Sequence, residues 1–146
     1  MKGQARSAAR LAAVQALYQL DMERPAVPAL LHEFHQHRLG AEIEDAQYAE
    51  ADVDLFNDVV KGVDARREEI DRLIAGKLAP GWSLARLDRT MLQILRAGTY
   101  ELIARPDVPR ATAISEYLEV AHAFFEPREA KFVNGLLDAI AREARA

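Results

Sequence analysis

The stretch LARLDRTMLQILRAGTYELIA, residues 84–104, decides the fold. Its apolar residues are Leu84, Leu87, Met91, Leu92, Ile94, Leu95, Leu102 and Ile103, and steps of three and four dominate. That is helical spacing, since strand alternation would place apolar residues two apart. Ile94 and Leu95 add a second edge to the stripe, and a helix apolar on more than one side is touched by several neighbours. The stretch is therefore read as the central helix of an all-helical bundle. Ser83 is the expected cap, because a Ser hydroxyl accepts from the orphan N–H groups of a first turn. Pro106 and Pro109 bound the other end. Gly98 lies inside, where glycine costs about 1 kcal/mol against alanine, so close helix packing is expected there.

Working outward, helical periodicity continues in both directions. A first helix is expected from about Ala5 to Met22, with Leu11, Val14, Leu17 and Tyr18 as its stripe and several alanines supplying propensity. Pro25 and Pro28 mark a turn and a new start. A second helix is expected from Pro28 to Arg38, with Val27, Leu30, Leu31 and Phe34 inward, ended by Gly40. Residues 41–51 have little periodicity and read as a loop or loosely helical connection. A third helix begins near Asp52, an acid suited to the positive end of the helix dipole. Its stripe runs from Phe56 through Val59, Val60, Val63, Ile70, Leu73 and Ile74 to Leu78, before Pro80-Gly81, with Gly62 and Arg66-Arg67 positioned to bend or expose its middle. Beyond the central helix, PRATAISEYLEVAHAFF places Ile114, Tyr117, Leu118, Ala121 and one of Phe124 and Phe125 inward. Pro127 stops that helix, and a last one from Arg128 buries Val133, Leu136, Leu137 and Ile140. The pattern predicts an all-α antiparallel bundle of about six or seven helices.

Composition narrows the class. A chain of 146 residues, half of them apolar, makes one domain or two small subdomains. With no cysteine, disulfides and thiolate metal sites are excluded, which is compatible with a reducing, cytoplasmic setting. No apolar run approaches the roughly 20 residues needed to span a bilayer, and MKGQARSAAR has no apolar core of a secretory signal. Net charge is −4, against indiscriminate nucleic-acid binding. The charge is uneven, however. Lys2, Arg6 and Arg10 precede the first acid, Asp21, whereas residues 42–54 are rich in acids.

No catalytic constellation emerges, and the chain is expected not to be an enzyme and to need no cofactor. His32, Glu33, His35 and His37 lack the spacing of a zinc-protease helix and read as a solvated face, with no metal expected. Ser7, Ser83 and Ser115 sit in no glycine-flanked elbow, and the seven glycines form no phosphate loop. The basic head is more informative. Arg6 and Arg10 are four apart and share a helix side. Cations at a helix N-terminus are mildly unfavourable for the helix itself, and a set of three without an intervening acid can neutralise phosphates. Phe124, Phe125 and Phe132 are either core or base-stacking residues. Phe132, at its stripe's edge, is the better stacking candidate. Arg96, flanked by apolar residues, is either paired internally or reaching a ligand.

ARLAAVQALYQLD, LDRTMLQILRAGTYEL, VPRATAISEYLEVA and KFVNGLLDAIA, in that order along nearly the whole chain, resemble the NusB family of transcription antitermination factors. The resemblance implies an all-α fold of two small helical subdomains, 1–146 acting as a single RNA-binding domain without catalytic activity. It implies binding of single-stranded boxA-type RNA of ribosomal RNA operons, together with ribosomal protein NusE, in an antitermination complex with RNA polymerase. Position by position, it places Lys2, Arg6 and Arg10 in an arginine-rich RNA-binding head. It places Arg96, Phe124, Lys131 and Phe132 near the RNA, and Tyr18 at the NusE contact. Ser7 and Ala8 stand where relatives can carry arginine, which implies lower intrinsic RNA affinity. Arg128 stands where relatives can carry an acid. The same fold serves as the N-terminal domain of ribosomal RNA cytosine methyltransferases, so a stand-alone helical RNA-binding or protein-interaction module is the alternative. The expected layout has the basic head, Arg96 and Lys131 taking phosphates, aromatics beside them taking bases, and Tyr18 facing a protein.

Overall fold

The structure, a computed structural model, describes residues 2–37 and 52–145. The connection expected over 41–51 and the stop at Gly40 lie outside the described residues. Among those described there are seven α-helices and no strand. They are α1 (Lys2–Glu23), α2 (Val27–His37), α3 (Val53–Ala65), α4 (Arg67–Ala75), α5 (Arg89–Ala104), α6 (Arg110–Phe124) and α7 (Pro127–Ala144). A 3-10 turn, Leu84–Arg86, precedes α5. The chain divides into two units, Met1–Lys61 and Gly62–Ala146.

In the first unit α1 packs on α2. The buried side of α1 is made largely of alanines, Ala9, Ala12, Ala13 and Ala16, with Val14, Leu17 and Leu20. Those alanines were expected only to favour the helix; they also let the neighbouring backbone approach. Leu11 and Tyr18, expected in the buried stripe, are exposed. Phe34 of α2 stacks on Phe56 of α3, centroids 5.4 Å apart. Asp52 performs the role its position predicts: its Oδ1 accepts from the Leu55 N–H at 2.9 Å, capping α3. The Asp52 N–H in turn donates to the Ala5 carbonyl at 2.9 Å, tying α3's start to α1.

The expected long third helix is two helices. The backbone breaks at Arg66 (φ −111°, ψ 22°), and Arg66 then holds Glu69 through N–H···O bonds of 2.8 and 3.0 Å. Those bonds keep the Glu69 carboxyl below the usual carboxylate range. Gly62 serves space rather than bending. A Cβ there would overlap Cε1 and Cζ of Tyr100, which is itself buried.

In the second unit α5 touches α4, α6 and α7. Every residue from Met91 to Leu102 is buried. Its start differs from the expectation. Ser83 makes no capping bond, and the Asp88 carboxylate caps α5 instead, accepting from the N–H groups of Thr90 (2.8 Å) and Met91 (3.1 Å). Asp88 wins because the 3-10 turn uses up the residues from Leu84 to Arg86 before the α-helix begins. Gly98 sits where packing demands it: a Cβ would meet Leu137 Cδ1 and Cδ2 at 3.0 and 3.1 Å and Tyr117 Cδ2 at 3.5 Å. The far end of α5 is held by Arg145. Its guanidinium donates to the carbonyls of Glu101, Leu102, Arg105 and Val108 at 3.2, 2.9, 2.9 and 2.7 Å. A cation on the last carbonyls of a helix meets both its unpaired acceptors and its negative dipole end.

Gly62 and Gly135, both helical, therefore respond oppositely to one methyl group. Gly135, exposed inside α7, has nothing within 4 Å of a Cβ. Gly135→Ala is expected to raise stability by about 0.5–1 kcal/mol through lost unfolded-state freedom. Gly62→Ala is expected to lower it by about 1–3 kcal/mol through overpacking against Tyr100. Thermal and urea melts followed by circular dichroism read both; a Gly62→Ala variant melting at or above the parent would contradict the packing account.

Candidate nucleic-acid interface

The basic head is only partly the open cationic set expected of it. Lys2 opens α1, and its side chain lies outside the described residues. Arg6 is half-buried, its Nε 3.7 Å from Asp52 Oδ2. Arg10 is 2% exposed, which corrects the expectation that Arg6 and Arg10 present one open side. The cause is helical register. Arg10 lies next to Ala9 and one turn before Ala13 and Val14, all of them buried, so its side of α1 faces inward.

Arg96 takes the internal-partner alternative. It is 7% exposed, and its Nε and Nη2 donate to the two Asp71 carboxylate oxygens at 2.9 Å each. Nη1 reaches Gln93 Oε1 at 3.3 Å. A planar fork matched to a carboxylate in this way is a strong, directional pair. These Arg96 donors are turned onto Asp71 of α4 and Gln93 of α5.

On α7 the pattern reads true. Lys131 and Phe132 are exposed, while Val133, Leu136, Leu137 and Ile140 are buried. Phe124, at the end of α6, is exposed, and Phe125 is half-buried, their ring centroids 6.4 Å apart. Neither is a core residue, contrary to the expectation for one of them, because α6 ends at Phe124 and its buried side is completed by Val120 and Ala121. Phe132 lines a groove of about 750 Å³ shared with Trp82, Arg86, Met91, Phe125 and Arg128. Trp82 and Arg86 escaped the sequence reading. Their signal was present: a lone tryptophan just after Pro80-Gly81 lies outside any apolar stripe, so nothing in the helices was waiting to bury it.

Tyr18 is 39% exposed and shares one side of α1 with the exposed Leu11 and Met22. Among the described residues no three acids or imidazoles could hold a metal ion. His35 Nε2 is hydrogen-bonded with Asn57 Oδ1 at 2.7 Å and its ring meets Phe56 edge-on.

Comparison with known proteins gives consistent matches. The NusB family model matches residues 7–142. The chain is 71% identical over 145 residues to the transcription antitermination protein NusB of Novosphingobium aromaticivorans, covering 99% of this chain and 98% of that protein. It is 65% identical over 144 residues to the protein of the same name from Sphingopyxis alaskensis, covering 99% and 97%. A solved structure of T. maritima NusB superposes with a TM-score of 0.79 at 31% identity, covering 97% of this chain and 93% of that one.

The Arg96–Asp71 pair gives a direct test of its structural role. Removing one partner of a buried pair leaves the other charge uncompensated, typically at about 3–5 kcal/mol. Asp71→Ala is expected at or below the lower end of that range, since the Asp71 side chain keeps 23% exposure. The double variant Asp71→Leu/Arg96→Met should recover much of the loss, because it removes both charges. Urea denaturation of the three proteins decides it, and a stable Asp71→Ala variant would refute the pairing as a stabilising element.

Proposed function

Because the chain belongs to the NusB family, we propose that it is a transcription antitermination factor that binds single-stranded boxA-type RNA of ribosomal RNA operons. In this reading it binds the RNA with ribosomal protein NusE, as part of an antitermination complex with RNA polymerase, and performs no catalysis. Residues 1–146 act as one RNA-binding domain in the cytoplasm; no described helix is long and apolar enough to cross a membrane.

The observation that carries the reading is the exposed Lys131–Phe132 pair on α7. A phenyl ring held in water beside a cation offers a face for a base next to a charge for its phosphate. Phe124 is a second exposed ring. Lys2 and Arg6 add cations from α1, while Arg10 and Arg96, being buried, belong to the packing that holds the helices. Tyr18 is assigned to NusE: its exposed ring supplies apolar contact area and its hydroxyl a polar end, the combination that suits protein interfaces. If RNA and NusE touch each other as well as this chain, each raises the other's affinity by the same coupling free energy.

Two substitutions separate these roles. A buried Phe→Ala change typically costs about 3–5 kcal/mol of stability, but Phe132 is 40% exposed. Phe132→Ala is therefore expected to keep its melting temperature close to the parent's and to lose on the order of tenfold in boxA RNA affinity, measured by fluorescence anisotropy. Parental affinity in a folded Phe132→Ala protein would remove the ring from the interface. Tyr18→Asp is expected to stay folded, to bind RNA alone as before, and to lose NusE in a pull-down; normal NusE capture would reassign that contact.

A further inference from the structure

We propose that the groove bordered by Trp82 and Phe132 is a base-binding subsite in which the Trp82 indole, fixed by Arg86, stacks one base of the RNA. This deepens the RNA-binding reading and rests on it.

The indole is the first observation. Trp82 is 54% exposed, yet it is anchored. Its backbone N–H donates to the Ala79 carbonyl at 3.0 Å, fixing the main chain that carries the ring, within the turn that holds Gly81 at φ +89°, a backbone value that favours glycine. Arg86 reaches back over this turn. Its Nη1 donates to the Gly81 carbonyl at 2.6 Å, and its guanidinium carbon lies 5.3 Å from the centroid of the Trp82 ring. A guanidinium over the face of an exposed ring is attracted by the ring's negative face and biases its attitude. An aromatic surface ordered before binding loses less freedom when a ligand stacks on it.

The groove's chemistry is the second observation. Trp82 and Phe132 share it with the buried Leu87 and Met91, and Arg86 and Arg128 bring guanidinium groups to the same groove. Aromatic faces beside guanidiniums match the two parts of a nucleotide, a π-surface and a phosphate. An aliphatic peptide segment would find no use for two arginines there. Phe132 makes the groove continuous with Lys131, its neighbour on α7.

The carboxylates of the groove fit the same occupant. Asp88 Oδ1 is engaged in capping α5. Glu129 also lines the groove, and its Oε1 is buried without a hydrogen-bond partner. A buried acceptor without a donor is costly, and the exocyclic amino group of a base is a donor that a carboxylate accepts from. Trp82 thus supplies stacking, Arg128 charge and Glu129 an acceptor, while Arg86 is a positioning residue acting through Trp82.

Trp82 is the single tryptophan of the chain, so its emission reports this groove alone. The full chain is titrated with a boxA-type single-stranded RNA, following Trp82 emission and, in parallel, the anisotropy of labelled RNA. The expected result is quenching of Trp82 with the same midpoint as the anisotropy change. Trp82→Ala should weaken binding on the order of tenfold, while Trp82→Phe retains most of the affinity. Arg86→Ala should lower the emission anisotropy of Trp82 in the RNA-free protein and weaken RNA binding. RNA binding by anisotropy with unchanged emission, or parental affinity in Trp82→Ala, would overturn the subsite and leave the RNA-binding reading standing. Emission that responds to NusE but not to RNA would overturn it in favour of a protein site. No RNA binding by the parent chain, with or without NusE, would remove the RNA-binding reading and the subsite together.

Discussion

The second unit depends on the burial of α5 from Met91 to Leu102. A helix surrounded on all sides gains apolar contact on every side, but every polar group it carries must then find a partner inside the protein. Three of the contacts described around it answer that demand. Asp71 of α4 neutralises Arg96, Tyr117 of α6 donates to the Glu101 carboxylate, and Arg145 at the end of α7 gathers carbonyls from α5's last turn and the loop that follows. Arg96, Glu101 and the carbonyls at the end of α5 thus each recruit a different neighbouring element. These contacts specify which helix lies against which side of α5, something apolar packing alone does weakly.

The same demand sorts cations into structural and available ones. Arginine is a strong phosphate ligand and also a strong internal clasp, because one planar fork serves both purposes. In this chain Arg96 and Arg145 are clasps, whereas Lys131, Arg128 and Arg86 are exposed. Exposed cations stand near aromatic rings in sequence or in the groove, Lys131 next to Phe132 and Arg128 in the groove with Trp82, while Arg86 is turned onto Gly81 and the Trp82 ring. Such pairs are what the RNA binding proposed above asks of a chain of net charge −4. Local cation–ring pairs supply attraction, while the overall acidity discourages indiscriminate binding.

First-unit packing follows a different rule. Small residues on α1 and the stacked pair Phe34–Phe56 let helices approach closely, leaving Leu11, Tyr18 and Met22 in solvent. Large apolar groups on the outer side of α1, opposite an inner side where four alanines accompany Val14, Leu17 and Leu20, are a partial inversion of the usual amphipathic pattern. That inversion is why Leu11 and Tyr18 read as core in one dimension: periodicity registers apolar character, and alanine registers weakly.

The sequence by itself determined the helical class, most helix boundaries, the central place of residues 84–104 and the reason for Gly98. It also distinguished buried from exposed positions on α7. All of these rest on local spacing, and local spacing survives without knowledge of neighbours. Tertiary structure alone decided that Arg10 and Arg96 are buried, that Gly62 makes room for Tyr100, and that Trp82 shares a groove with Phe132. The physical reason is common to them. Each depends on which residue distant in sequence arrives opposite: Asp71 lies 25 positions before Arg96, and Tyr100 fills the space over Gly62 from another helix. An arginine's chemistry is the same in both roles, so only the carboxylate that meets it, or the water that does, decides which it plays.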